Sequence, residues 1–172
     1  CVVAEEQTAG RGRLDRTWVS PPRAGLTCSL LLRPVTDDPG WVPLLAGLAV
    51  ARALREHAEV DAVLKWPNDV LVGERKVAGL LAEAVDGAVV VGLGLNVTTR
   101  PEELPDERAT SLAQEGARTT DRDTLLRAVL RAMSFTPPDR LAYREACSTL
   151  GRAVQVHLPG GGKLGIYQPR HA

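Results

Sequence analysis

Three short stretches carry residue types and spacings that could do chemistry. The first is Gly10-Arg11-Gly12-Arg13. Two glycines let backbone N–H groups converge on an anion, and two guanidiniums can bind it bidentately. Arginine suits flat oxyanions such as carboxylate and phosphate. An exposed basic turn is the competing reading of the same four residues. The stretch is neither a P-loop nor a dinucleotide fingerprint. The second is Lys65-Trp66-Pro67-Asn68-Asp69. Lys65 ends an apolar strand, where its ammonium must be solvated or paired. It can serve as an oxyanion stabiliser, or simply extend its stem from the strand end into water. The third is Gly92-Leu93-Gly94-Leu95-Asn96. Alternation along a strand puts Gly92, Gly94 and Asn96 on one face. Two glycines there form a floor without side chains, expected where a ligand or another backbone approaches closely. Asn96 adds a donor and an acceptor at its end. A bulge or tight sheet packing would use the same glycines.

Other chemistries find little support. His57, His157 and His171 have no partners at ligand spacing. The three cysteines, Cys1, Cys28 and Cys147, are far apart and fit neither a metal site nor a disulfide framework. Cys28 lies in an apolar run and reads as a core thiol. Asp37-Asp38 and Glu102-Glu103 read as solvated loop charges. The residues alone therefore describe a pocket for a flat small molecule with carboxylate or phosphate at one end.

The elements that must hold these stretches follow from the patterning. The 172 residues argue for one main domain with at most a small appendage. Hydrophobic residues make up 44% and charged residues 24%, a globular balance that excludes wholesale disorder. Lys+Arg and Asp+Glu each number 21, so no global electrostatic grip on nucleic acid or an anionic membrane is indicated. Aromatic residues at 3% disfavour base-stacking platforms. No apolar run is long enough for a membrane helix, the N-terminus does not read as a signal peptide, and a cytoplasmic origin is the simplest inference. The absence of an initiator Met suggests a piece of something longer.

Residues 1–5 read as a short buried strand and Gln7–Arg16 as a polar loop, mobile over Thr8–Arg16 until an anion arrives. Gly25–Leu32 reads as a strand, and Trp41 to His57 as a helix whose Leu44, Leu48, Ala51, Leu54 and Ala58 share a face. Ala62–Lys65 is a strand that must stop at Pro67. Val70–Val72 and Lys76–Val85 form a hairpin, and Asp86-Gly87 turns into the apolar run Ala88–Val97. Residues from Pro101 to Gln114 read as loop with at most a short helix. Asp121 caps a helix to about Met133, and Pro137-Pro138-Asp139 opens another to about Leu150. Alternation at Val154, Val156 and Leu158, the Gly160-Gly161-Gly162 turn and Leu164–Tyr167 suggest the start of a small β-domain. Successive hairpins with helices between them give an α+β fold with a mixed, largely antiparallel sheet.

Taken together, Ala4–Arg13, Lys65–Asp69, Lys76–Glu83 and Gly92–Val97 strongly resemble the biotin–protein ligase family in order and spacing, over roughly residues 1–158. The resemblance implies a class II aminoacyl-tRNA synthetase-like, biotin–lipoate ligase fold over residues 1–150, lacking its N-terminal part, and the incomplete start of an SH3-like β-domain over 151–172. It also implies that ATP and Mg²⁺ are used to activate biotin as biotinyl-5′-AMP. The biotin then passes to a lysine of a biotin carboxyl carrier protein. By motif, Gln7, Gly10, Arg11, Gly12, Arg13, Lys65, Gly79, Gly92 and Gly94 would bind biotin or the adenylate, with Lys65 and Arg13 as the catalytic pair. Asn96 and Trp18 would hold the nucleotide, Asn96 helping with the phosphates and Mg²⁺. A homodimer is compatible with the family. The family's upstream Gly-Ser-Thr-Asn segment is not in this sequence. The stretch Ser134–Pro138 looks short for the family's helical connection, and Asp15 stands where the family often has Gly or Asn. A non-catalytic biotin-binding or dimerisation fragment, a lipoate or octanoyl ligase relative, and a nucleic-acid module using the Arg loop are the competing readings.

Overall fold

A computed structural model describes residues 1–13, 16–33, 39–133, 140–150, 154–157 and 163–167. Six strands form one sheet in the order β1-β4-β8-β7-β6-β5. They are β1 (Val2–Ala4), β4 (Gly25–Leu32), β5 (Ala62–Lys65), β6 (Asp69–Val72), β7 (Arg75–Val85) and β8 (Ala88–Asn96). Every strand pair in it is antiparallel, and two isolated bridges, Leu64–Cys147 and Lys76–Ala109, add parallel contacts at its margin. The β7–β8 hairpin closes at Asp86 and Gly87, both at positive φ, the geometry that a tight two-residue hairpin turn demands.

One face of the sheet is covered by helices. α1 (Val42–Ala53) is apolar on nearly all sides because it lies between the sheet and two further helices, α2 (Arg122–Ala132) and α3 (Arg140–Ala146). It ends in a single π turn over Leu54–Ala58, so the regular helix stops short of the expected His57. Leu26, Leu54, Leu64, Val70, Leu80, Val91, Leu93 and Leu95 form the core between these layers. Burying each such side chain contributes about 1.5–3 kcal/mol. α2 starts where Asp121 accepts the Thr124 N–H at 2.9 Å, and buries Leu125, Ala128 and Val129.

The opposite face carries a separate two-stranded ribbon, β2 (Gln7–Arg11) with β3 (Thr17–Ser20). Much of the expected polar loop is thus strand. Gly10 makes this pairing possible, because a Cβ there would meet the Trp18 carbonyl and the Gln7 amide. Residues 1–5 also differ from expectation. β1 is an edge strand, with Val2 71% and Val3 46% exposed, because the helical layer does not cover that margin. Within the described part of the helix expected from Pro137 to Leu150, Arg140–Ala146 is helical and 147–150 is not, and residues 134–139 lie outside the described residues. β9 (Val154–His157) and β10 (Lys163–Tyr167) form an antiparallel pair. Leu14, Asp15, Asp37, Asp38, Leu158, the Gly160–Gly162 turn and His171 are outside the described residues. No helix among the described residues is long and apolar enough to cross a membrane.

Candidate functional site

Register alone assembles the site. Thr27 on β4 lies opposite Gly94 on β8, Gly94 opposite Gly79 on β7, Gly79 opposite Asp69 on β6, and Asp69 opposite Lys65 on β5. Directly opposed residues of an antiparallel pair share a face. The row Thr27–Gly94–Gly79–Asp69–Lys65 therefore crosses the face that the helices leave open. Its second and third positions, Gly94 and Gly79, lack side chains. Gly92, Ser29 and Leu81 form the next row, and only the Leu81 carbonyl lies near Gly92, 3.6 Å from where a Cβ would stand.

The β2–β3 ribbon folds down onto this row. Ser20 Oγ and Thr27 Oγ1, both buried, share a hydrogen bond of 3.0 Å that ties the ribbon to β4. Two residues earlier, Trp18 lays its indole on Gly94. A methyl group at Gly94 would lie 2.6 Å from Trp18 Cζ2 and 2.7 Å from Nε1, and one at Gly79 would lie 3.5 Å from Cζ3. The glycine floor is thus real, and the chain's own indole rests on part of it. The same ribbon brings exposed Arg11 to this face, and exposed Arg13 follows two residues after the strand ends. Arg11 reaches Glu83 of β7 at 3.8 Å, a pair so exposed that it contributes little.

Lys76 is the site residue that sequence periodicity misses. It stands three positions before Gly79, so strict alternation would aim it at the helical layer. The structure has a bulge instead: Leu71 pairs with Lys76 while Val70 pairs with Ala78, leaving Val77 as the extra residue. A bulge of this kind re-aims side chains. Lys76 Nζ consequently meets Asp69 Oδ1 at 2.7 Å, lies within 5.6 Å of the Trp18 ring centre, and covers Gly79. Nothing in the chain's apolar pattern signals that bulge. Lys65 is exposed at the end of the row, and the turn after it is fixed by Asn68, whose Nδ2 donates to the Leu80 carbonyl at 2.9 Å. Asn96 is buried beyond Gly94, its Nδ2 donating to the Thr110 carbonyl at 2.9 Å. Gln7 lies beside Gly10 at the foot of the ribbon. Trp18, Lys65, Gly79, Gly92, Gly94 and Asn96 thus share one sheet face with Lys76 and Asp69, and the ribbon that carries Gln7, Gly10 and Arg11 folds over it, while Gly12 and Arg13 make their contacts with Arg16 just beyond the ribbon strand.

Chemically, this face offers a glycine floor covered by the movable side chains of Trp18 and Lys76, beside the exposed ammonium of Lys65 and the exposed guanidinium of Arg11, with Lys76 held by Asp69. That suits a flat molecule carrying anionic groups at one end. Among the described residues no group of three or more His, Cys, Asp or Glu side chains could hold a metal ion.

A family model described as the biotin/lipoate A/B protein ligase family matches residues 1–98. The chain is 42% identical over 175 residues to the biotin--[acetyl-CoA-carboxylase] ligase of Mycobacterium tuberculosis, a match covering 93% of this chain and 65% of that protein. It is 39% identical over 141 residues to the bifunctional ligase/repressor BirA of Bacillus subtilis, covering 75% of this chain and 43% of that one. It therefore spans less than two thirds of the length of these relatives. Among solved structures, it superposes on the biotin protein ligase of Aquifex aeolicus in complex with biotin and ATP with a TM-score of 0.75 at 37% identity, covering 95% of this chain and 74% of that one. On the Leishmania major biotin protein ligase in complex with biotinyl-5-AMP the TM-score is 0.76 at 26% identity, covering 93% and 75%. With the family match covering more than half of its residues, the chain belongs to the biotin/lipoate A/B protein ligase family.

Proposed function

We propose that the protein containing this chain is an ATP-dependent biotin–protein ligase. It joins biotin to AMP and then passes the biotinyl group to a lysine of a carboxyl carrier domain. The observation that carries this reading is the row Gly94–Gly79–Asp69–Lys65, with Lys76 and the arginine ribbon around it. The Aquifex aeolicus ligase that resembles this chain at 37% identity has biotin and ATP bound, and the Leishmania major ligase has biotinyl-5-AMP bound.

In the first step a biotin carboxylate oxygen attacks the α-phosphorus of ATP, and the bond to pyrophosphate breaks. Two anions must approach each other, so the positive charges of Lys65, Lys76, Arg11 and Arg13 offset their repulsion. They also stabilise charge that grows in the transition state. The ring of biotin would lie on Gly92 and Gly94, with Gln7 as a hydrogen-bonding partner. Trp18 would shift from Gly94 to give the ligand room and would present its face to the nucleotide. In the second step the acceptor lysine's neutral amine attacks the acyl carbon, AMP leaves, and the amine proton goes to solvent. Mg²⁺, when bound, would neutralise the pyrophosphate. Asn96 is the residue that would help hold it, through its side-chain carbonyl oxygen. Residues 1–150 would form the catalytic unit, and the β9–β10 pair would open a second, SH3-like β-domain.

Biotin-dependent exchange of labelled pyrophosphate into ATP, measured on the full-length protein, tests the first step. Transfer of biotin to a carrier domain tests the second. Exchange with lipoate or octanoate but not biotin would overturn the substrate assignment. Biotin binding without exchange would leave a non-catalytic biotin-binding protein.

A further inference from the structure

Lys76 sits where the sheet loses its regular ladder. β8 pairs with β7 as far as Ala78 opposite Leu95, and from there segment 108–112 takes β8's place. Lys76 N donates to the Arg108 carbonyl at 2.7 Å, and Thr110 N donates to the Lys76 carbonyl at 2.8 Å. On the other side of the segment, Asn96 Nδ2 donates to the Thr110 carbonyl at 2.9 Å and Leu112 N donates to the Asn96 carbonyl at 3.0 Å. Thr110 is thus bonded to both Lys76 and Asn96, and it is fully buried. Its own hydroxyl donates to Glu115 Oε1 at 2.6 Å. The same carboxylate oxygen meets Arg75 Nη2 at 2.6 Å. Arg75 is the chain neighbour of Lys76, so the contacts close a ring: Arg75, Glu115, Thr110, Lys76 and back to Arg75.

We propose that Glu115 is a positioning residue that fixes the Lys76 ammonium and the Asn96 side chain at the ligand face by acting through Thr110. The proposal rests on the reading of that face as the biotin and ATP site. Glu115 does not itself belong to the open row. Its side chain is only 15% exposed, and its two partners lie on separate segments, which is what a clamp requires. The backbone N–H and C=O of Lys76 need partners, and a bulge has already disturbed the ladder on the β6 side. Segment 108–112 supplies them, so a loosened segment transmits directly to Lys76. Without the carboxylate, the buried Thr110 hydroxyl is left without its acceptor, whereas Arg75 can turn to water.

The test uses Glu115→Ala, Glu115→Gln and Thr110→Val in the full-length protein. The readouts are pyrophosphate-exchange kinetics and the acetylation rate of Lys76 relative to exposed Lys65, followed by peptide mass spectrometry. Glu115→Ala should lower kcat/KM for ATP about fivefold or more, and raise the Lys76/Lys65 acetylation ratio by a similar factor, as expected for losing one buried hydrogen bond. Glu115→Gln keeps an acceptor for Thr110 and should restore both to within about twofold of wild type. Thr110→Val cuts the same link from the other end and should match Glu115→Ala, deciding the matter if that variant does not fold. An unchanged Lys76/Lys65 ratio in Glu115→Ala or Thr110→Val overturns the proposal, as does a Gln variant as impaired as the Ala one. If wild type shows no exchange, the ligase reading fails. The acetylation ratio still decides the role of Glu115.

Discussion

Gly94→Ala gives a direct test of how the open face is built. The added methyl would sit 2.6 Å from Trp18 Cζ2 and 2.7 Å from Nε1, whereas carbon atoms in contact sit about 3.5–4.0 Å apart. The indole or the sheet must therefore move by roughly 1 Å. β8 is a central strand, hydrogen-bonded to β4 and β7 on its two sides, and cannot yield cheaply. Trp18 is half-buried on a two-stranded ribbon and can rise. Rising costs its packing on Gly94 and its attraction to the Lys76 ammonium, the latter worth about 0.5–1 kcal/mol at a partly exposed site. Overpacking in general costs about 1–3 kcal/mol, and the lower part of that range is expected here. A double-mutant cycle with Trp18→Ala isolates the contact. In the Trp18→Ala background the Gly94→Ala change should cost close to nothing, giving a coupling of about 1 kcal/mol or more by chemical denaturation. Iodide should also quench the tryptophan fluorescence of Gly94→Ala more strongly than that of wild type. Equal destabilisation in both backgrounds would refute the picture and assign the glycine to strand packing.

The remaining predictions draw on other parts of the fold. Lys65→Ala should lower biotin-dependent pyrophosphate exchange about 100-fold, about 2.7 kcal/mol of barrier, and leave the melting temperature nearly unchanged because Lys65 is exposed. Wild-type exchange in that variant would remove Lys65 from the mechanism. Asp121→Ala removes the acceptor of the Thr124 N–H and should cost about 1 kcal/mol, or about 2–4 °C in a thermal melt. Burial pushes the Cys28 thiol from 9.0 up to about 11, and burial likewise raises the Tyr143 hydroxyl above its usual value. In both cases the neutral form is favoured by folding. Stability should be full below pH 9 and should fall as pH rises towards 11, by at most about 1.4 kcal/mol per pH unit per group. Cys28→Ala should flatten that fall, and a thiol reagent at pH 8 should label exposed Cys1 before Cys28.

The sequence by itself determined the elements whose signal is local. The β8 run is apolar at Val89, Val91, Leu93 and Leu95, with glycine at 92 and 94 on the other face, and the structure keeps that division. Asp86-Gly87 required a tight turn, and Asp121 announced the start of α2. The four motifs, read in order, also pointed to the family that the comparisons assign. Tertiary structure decided what depends on distant partners. Trp18 rests on Gly94 because Ser20 bonds Thr27, a contact between a ribbon and a sheet that neither segment encodes alone. Strand Gln7–Arg11 looks like a loop because its side chains are polar and its glycine serves a cross-strand approach. Lys76 faces the site only because Val77 bulges, and that bulge is held by Arg108 and Thr110, more than thirty residues further along. A period-two pattern cannot report a change of period forced by a remote segment, since alternation is a property of one strand and the bulge is a property of three.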